Sequence, residues 1–326
     1  MSKQKRQLML TLAGMIIVLL LIGCGEKSTK NASDNNKNNS NEVQNNEEEL
    51  FPRTIKHSSG ELTLDKKPER VALADVNIID YYLMIDEDLP VGARIDTIDR
   101  SPALKKLIEE YDPEGEITSI GGKVNMETLI GLEPDLILLS EGKQDKYDNF
   151  AKVADTIVLD GSNDRTIRLE QLGDIFGKED KVDKILKEID NLKEETKEKI
   201  EPNADETVLF LRANGKDFTV LTPEEHGLLY EEMGLETAGD FDGTGEITVE
   251  SISDANPDHI FIMEARRQMD EENIGALIDV WEDNSVWKNL DAVKNNQMYM
   301  LDSLVADDFF IGWELELEAL QEHLGE

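Results

Sequence analysis

Two stretches of this chain carry one pattern at identical internal offsets. The first reads Asn125-Met126-Glu127, then Pro134-Asp135 and an apolar strand; the second reads Thr248-Val249-Glu250, then Pro257-Asp258 and an apolar strand. In both, a glutamate follows a capping residue by two positions and precedes the proline by seven. Asn and Thr side chains cap helix starts, and a proline pushes the residue before it out of the helical region. Each copy therefore predicts a short helix that stops before proline and leads into a buried strand. Glu127 and Glu250 fall on equivalent first turns. A chain duplicated in this way folds as two similar lobes.

The rest of the chain fits that scheme. Short apolar strands at Arg70–Ala74, Pro90–Arg94, Pro134–Leu139 and Thr156–Leu159 alternate with helical patterns such as Asn77–Ile85. Continuous apolar strands that alternate with helices predict a parallel sheet covered on both faces. From Glu179 to about Ile200 the pattern changes. Val182, Ile185, Leu186, Ile189 and Leu192 recur at helical spacing, Lys and Glu fill many other positions, and Pro202 ends the run. This is one long amphipathic helix with opposite charges three and four apart. Alternation resumes with Thr207–Arg212, a helix from about Gly227 to Met233, Pro257–Ile262, Gln297–Leu301 and a closing helix from about Trp313 to Leu324. The predicted fold is α/β, with two Rossmann-like lobes joined by one long rigid α-helix. Its divisions are a lobe at 52–178, the connecting helix at 179–201 and a lobe at 202–326.

Residues 1–51 read differently. Lys3, Lys5 and Arg6 precede an apolar run from Leu8 to Ile22, which ends in Leu21-Ile22-Gly23-Cys24. A basic front, an apolar middle and small residues at the cut are the marks of an export signal. The run falls short of the roughly twenty residues that a spanning helix needs. With one cysteine in the chain, no internal disulfide is possible. Residues 1–23 read as a signal peptide, and 24–51, rich in Asn, Ser and Glu, as a flexible tether too polar to bury itself.

Composition sets further limits. Formal charge is -37, with 71 acidic and 34 basic side chains. Residues 1–23 hold three bases and no acid, so the chain from Cys24 carries -40. That balance argues against nucleic acid and against adhesion to anionic lipid. It also suits a saline or alkaline habitat. The four histidines, His57, His226, His259 and His323, are widely spaced, and His259 lies in a predicted buried strand. Zinc or manganese sites need several such ligands at close quarters, so direct metal chelation is not expected. No Gly-x-Ser-x-Gly, His-Glu-x-x-His, phosphate-cradling glycine loop or Cys/His pair marks an enzyme.

Several stretches together resemble the solute-binding proteins of iron-siderophore and cobalamin ABC importers. They are the Leu21–Cys24 lipobox, Pro68–Ala72, Pro90-Val91-Gly92, Ile120-Gly121-Gly122 before the Glu127 helix, Pro134–Ile137, Ile175–Glu179 and Trp287–Val293. The likeness runs from about residue 60 to the end. It implies a lipid on Cys24 and a place on the outer face of the cytoplasmic membrane, as in a Gram-positive bacterium. It also implies a monomer that binds its ligand between two lobes and docks on a permease driven by an ATPase. One acidic docking residue per lobe matches Glu127 and Glu250. The rival reading is that both only favour a helix dipole.

In open α/β sheets a ligand sits beyond the carboxyl ends of the strands. Arg94, Arg212, Arg266 and Arg267 fall there by this reading. Arginine grips anionic oxygens with paired hydrogen bonds, which suits a ferric siderophore whose own oxygens hold the iron; no cofactor of the protein's own is implied. Each arginine also has acidic neighbours that can pair with it. Phe309, with Phe310 and Trp313, is either a cleft wall or core. Cobalamin or haem, and from another class a secreted lipoprotein hydrolase, are the alternatives.

Overall fold

A computed structural model describes residues 50–326 except 86, 97, 99–100, 142–145, 162–163, 204, 215–216, 224–227, 242–245, 265–280, 282–283, 307–308 and 326. It opens with an antiparallel hairpin, β1 (Arg53–His57) and β2 (Gly60–Leu64), which the apolar patterning does not announce. The alternating part follows as β3 (Val71–Leu73), α1 (Ile79–Met84), β4 (Gly92–Ala93), α2 (Pro102–Tyr111), β5 (Thr118–Ser119), α3 (Met126–Gly131), β6 (Leu136–Ser140), α4 (Tyr147–Phe150), β7 (Asp155–Leu159) and α5 (Arg165–Phe176). Its strands form a parallel sheet in the order β5-β4-β3-β6-β7.

The long helix is α6 (Glu179–Ile200). Gly177 makes the junction from α5. It sits at φ 66°, the left-handed conformation that ends a helix. A Cβ there would also lie 2.9 Å from Leu50 and 3.2 Å from Arg53.

The second half contributes β8 (Thr207–Asn214), β9 (Asp217–Val220), β10 (Glu236–Thr237), β11 (Glu246–Ile247), α7 (Val249–Ala255), β12 (His259–Glu264), α8 (Asp291–Lys294), β13 (Met298–Leu301) and α9 (Phe310–His323). Its sheet runs β11-β9-β8-β12-β13, with β10 also paired to β8. The pairings of β8 with β12 and of β12 with β13 are parallel, and β9 runs antiparallel to β8. The helical pattern near 227–233 is a single wide turn over Leu228–Glu232.

The internal repeat is structural. Asn125 accepts from the Glu127 and Thr128 amides at 3.0 and 3.1 Å; Thr248 accepts from the Ser251 amide at 3.3 Å. Leu129 and Ile252, both 0% exposed, anchor the two helices at matching positions. Glu133 and Asn256, each just before its proline, hold φ values of 46° and 44°. Asp135 then accepts from the Glu69 and Arg70 amides, both at 2.9 Å, at the start of β3. Asp258 accepts from the Thr207 amide at 2.8 Å, at the start of β8. In both halves the aspartate thus ties the amino end of its strand to the neighbouring strand.

Strand alternation sorts the core. Val71, Leu73, Leu136, Leu138, Ile157 and Leu159 of the first sheet share one apolar cluster with Val208, Phe210, Phe261 and Met263 of the second. Val182, Ile185, Ile189 and Ile200 of α6 and Phe310, Trp313, Leu317 and Leu320 of α9 belong to it too. The opposite face of each sheet has its own smaller cluster.

Buried polar groups cross this shared core. Asp80 of α1, 0% exposed, accepts from the Ile311 amide in the first turn of α9 at 3.1 Å. Ser101, at the start of α2, donates to Asp302 at 3.0 Å. Arg165 of α5 donates to the Val305 carbonyl at 3.1 Å and to Glu316 of α9 at 3.3 Å. The Arg165 guanidinium also lies 5.4 Å from the Trp313 ring centre. Gly312 lets α9 approach this closely, because a Cβ there would meet the Leu304 carbonyl oxygen at 2.4 Å.

Burial pushes the Glu316 carboxyl up to about 7, against the pull of Arg165 and Lys193. Its folded pKa lies above its unfolded one, so Glu316 favours the fold while neutral. That contribution is lost as pH rises through about 7. Once ionised, it depends on Arg165. We expect Arg165→Met to cost about 3–5 kcal/mol at pH 8.5, where a buried charge is left without its partner. The cost should be clearly smaller at pH 5.5, where Glu316 holds its proton; urea unfolding at the two pH values checks this.

Candidate functional site

The first sheet changes direction between β3 and β6, since the chain runs outward from β3 through β4 to β5 and then returns to β6 on the other side. Carboxyl ends at such a switch point form the crevice where open α/β sheets bind ligands. Polar residues converge there. Asp75, just past β3 and 5% exposed, accepts a hydrogen bond from Ser140 at the end of β6. Arg94, just past β4, reaches Asp75 at 3.7 Å and donates through Nη2 to the Gly122 carbonyl beyond β5. One guanidinium thus joins three strand ends. Its Nε–H is buried and has no acceptor among the described residues. Arg94 also lines a cavity of ≈ 1150 Å³.

An arginine held in this way presents a fixed positive charge with donor capacity to spare. Asp75 orients it at a separation long for an ion pair, so the charge is only partly offset. Nearby, Ser119 donates to Asp96 and accepts from the Gly121 amide at 3.2 Å, which fixes the Gly121–Gly122 turn. Asp75 and Ser140 escape a search for arginines and glutamates. The only signal for either is its place just beyond an apolar strand.

The other expected positions are distributed as follows. Arg212 lies within β8 rather than at its end, because the strand runs on to Asn214 and pairs with β9. It is half-buried and does not line the cavity that Arg94 lines. Glu127 and Glu250 are exposed on the first turns of α3 and α7. Phe309 is 0% exposed and packs in the core that both sheets share, so the cleft-wall expectation gives way to the core one. The physical reason is that Asp80 fastens the start of α9 against α1, which turns the aromatic residues there inward. His259 is buried and satisfied by Glu206 at 2.5 Å and Tyr299 at 3.2 Å. Cys24, His226, Arg266 and Arg267 lie outside the described residues. Among those described, no three His, Cys, Asp or Glu side chains are placed to hold a metal ion.

Comparison with known proteins bears on this arrangement. The ferric-anguibactin-binding protein FatB of Vibrio anguillarum is 25% identical over 260 residues, covering 73% of this chain and 78% of that protein. The Fe(3+)-citrate-binding protein YfmC of Bacillus subtilis is 27% identical over 297 residues, 88% of each chain. Among solved structures, the petrobactin-binding protein YclQ from Bacillus subtilis superposes with a TM-score of 0.69 at 22% identity, over 84% of this chain and 98% of that one. The siderophore-binding protein BauB, bound to two acinetobactin molecules and ferric iron, gives 0.68 at 24% identity, over 84% and 99%. These neighbours share the two-lobed α/β architecture. Residues 93–304 match the family described as periplasmic binding protein, which spans most of both sheets and all of α6, and the chain belongs to that family.

Proposed function

We propose that this protein captures a ferric siderophore at the carboxyl ends of its strands and delivers it to an ABC permease in the same membrane. The observation that carries the reading is Arg94. It is a fixed cation with an unused donor at the switch point of the first sheet, in a chain whose acids outnumber its bases 71 to 34. Relatives named for binding ferric anguibactin and ferric citrate support it. Ferric siderophores present anionic oxygens around iron. Arginine recognises these without touching the metal, so the iron travels as part of the ligand and the protein needs no cofactor. Arg212 supplies a second cation from the other sheet, and Arg266 and Arg267 further ones. The named relatives give no support to cobalamin, haem or hydrolysis.

The remaining assignments follow the same logic. A lipid on Cys24 holds the protein at the outer face of the membrane, and residues 24–51 act as the leash, which keeps a monomeric receptor at high local concentration near its permease. Glu127 and Glu250 dock on the permease, one from each lobe. Charges at an exposed rim mainly set orientation and encounter rate. The shared core limits the lobes to a small hinge motion on binding.

Titration with hydroxamate, catecholate and citrate-type ferric siderophores, read by quenching of Trp281, Trp287 and Trp313, should give saturable binding to one class. Arg94→Ala should weaken that binding about 10- to 100-fold, the worth of a hydrogen bond to a charged group. No binding to any ferric siderophore would overturn the assignment. Glu127→Ala combined with Glu250→Ala should leave affinity intact and lower iron uptake by cells; unchanged uptake would refute the docking role. Cys24→Ser should release the protein from membranes without altering affinity, checked by fractionation and the same titration.

A further inference from the structure

The first sheet has a second face, turned away from the shared core. There, alternation places Ala72, Ile137 and Leu139 together with Val158 of β7, and Ala74 follows at the end of β3. α3 and the α4 segment cover this face. Ala74, which lines the space between those two covers, is too small to fill it. A groove results, the same cavity of ≈ 1150 Å³ that Arg94 lines. Met126 and Ile130 of α3 form one wall; Phe150 and Val153 form the other. Ile130 is 56% exposed, one of few large apolar side chains so open to solvent.

The charge of this groove is opposite to that of the chain. Arg94, Lys123, Lys146 and Lys152 line it, against the single carboxylate of Glu133. Four bases to one acid contrasts with 34 to 71 overall. Among the described residues none of the three lysines is in an ion pair, and Lys152 makes only a 3.4 Å hydrogen bond to Asn149. In a chain so rich in carboxylates, three cations left without one at the rim of an apolar groove form a site complementary to an anion. Ligand pockets combine an apolar lining with a few placed polar groups. We infer that the groove between α3 and α4 is a second binding site, for an organic anion with an apolar body such as an aryl or alkyl carboxylate or sulfonate. The site is built from residues 74–153 alone and needs nothing from the second sheet.

The probe is 8-anilinonaphthalene-1-sulfonate, an aromatic sulfonate whose fluorescence rises in apolar surroundings. The protein is the chain from residue 24 on, with Cys24→Ser. One saturable site is expected. Lys123→Glu combined with Lys152→Glu should weaken it at least tenfold, and Ile130→Asp should do the same. Lys123, Lys152 and Ile130 are exposed, so these variants should keep the wild-type circular dichroism and melting temperature. No saturable binding, or binding indifferent to both variants, would overturn the site. So would binding that is lost in Arg94→Ala, unaltered by the lysine changes and displaced by a ferric siderophore, because the probe would then occupy the siderophore site. Failure of every siderophore to bind would leave the sulfonate titration readable, so the two assignments fail separately.

Discussion

Two sheets turn one face each onto the same apolar interior, and neither can move far without exposing it. Phe210 and Phe261 from the second sheet, Leu73 and Leu138 from the first, and Phe309 and Phe310 where α9 begins are all 0–1% exposed there. Each large apolar side chain brought out of water is worth about 1.5–3 kcal/mol. Pulling the lobes apart therefore costs far more than thermal energy. α6 is stiff for the same reason. It is less a free rod between two bodies than one wall of their common core, through Val182, Ile185, Ile189 and Ile200.

Within that apolar setting the buried charges define the arrangement. Hydrocarbon packing tolerates sliding, whereas a carboxylate facing a helix start or a guanidinium does not. Asp80 on the Ile311 amide, Arg165 on Glu316 and Ser101 on Asp302 each join an element before α6 to one after it. Arg168, 2% exposed, adds bonds to the Asp160 and Asn77 carbonyls and lies over the Tyr81 ring. Asp80 and Glu316 are both pushed up to about 7 by burial. The region that sets the relation between the sheets thus changes charge near neutral pH.

A chain this acidic uses its few cations selectively. Arg165, Arg168 and Lys193 lie where α5 and α6 meet the rest of the core, with Lys193 placed 4.6 Å from the Trp313 ring centre. Arg70 fastens the loop after α3 through the Glu133 carbonyl. Arg94 holds the strand ends together. Most of these cations serve the fold. This is why an arginine at a strand end says less about a ligand than its type suggests, and why Arg94, whose spare donor lies at the switch point beside a cavity, differs from the others.

Much of the architecture was legible because it rests on local rules. The repeat, the α6 stripe from Val182 to Leu192 and the apolar strands follow from capping chemistry, proline sterics and side-chain periodicity, which act over a few residues. The Asn125 and Thr248 caps recur where the pattern placed them, whereas the left-handed residue before each proline and the strand-tying aspartates are shared details that only the structure shows. Local rules are silent on which distant elements meet. The β1–β2 hairpin, the continuation of β8 past Arg212, the inward turn of Phe309 and the pairing of Arg165 with Glu316 across 151 positions all depend on long-range packing. So does the groove, where Ala74 lies between α3 and α4. Side-chain pattern decides what each segment becomes. Only the closure of the core, where burial makes one charge answer to another far along the chain, decides which segments share an interior and which cations remain for a ligand.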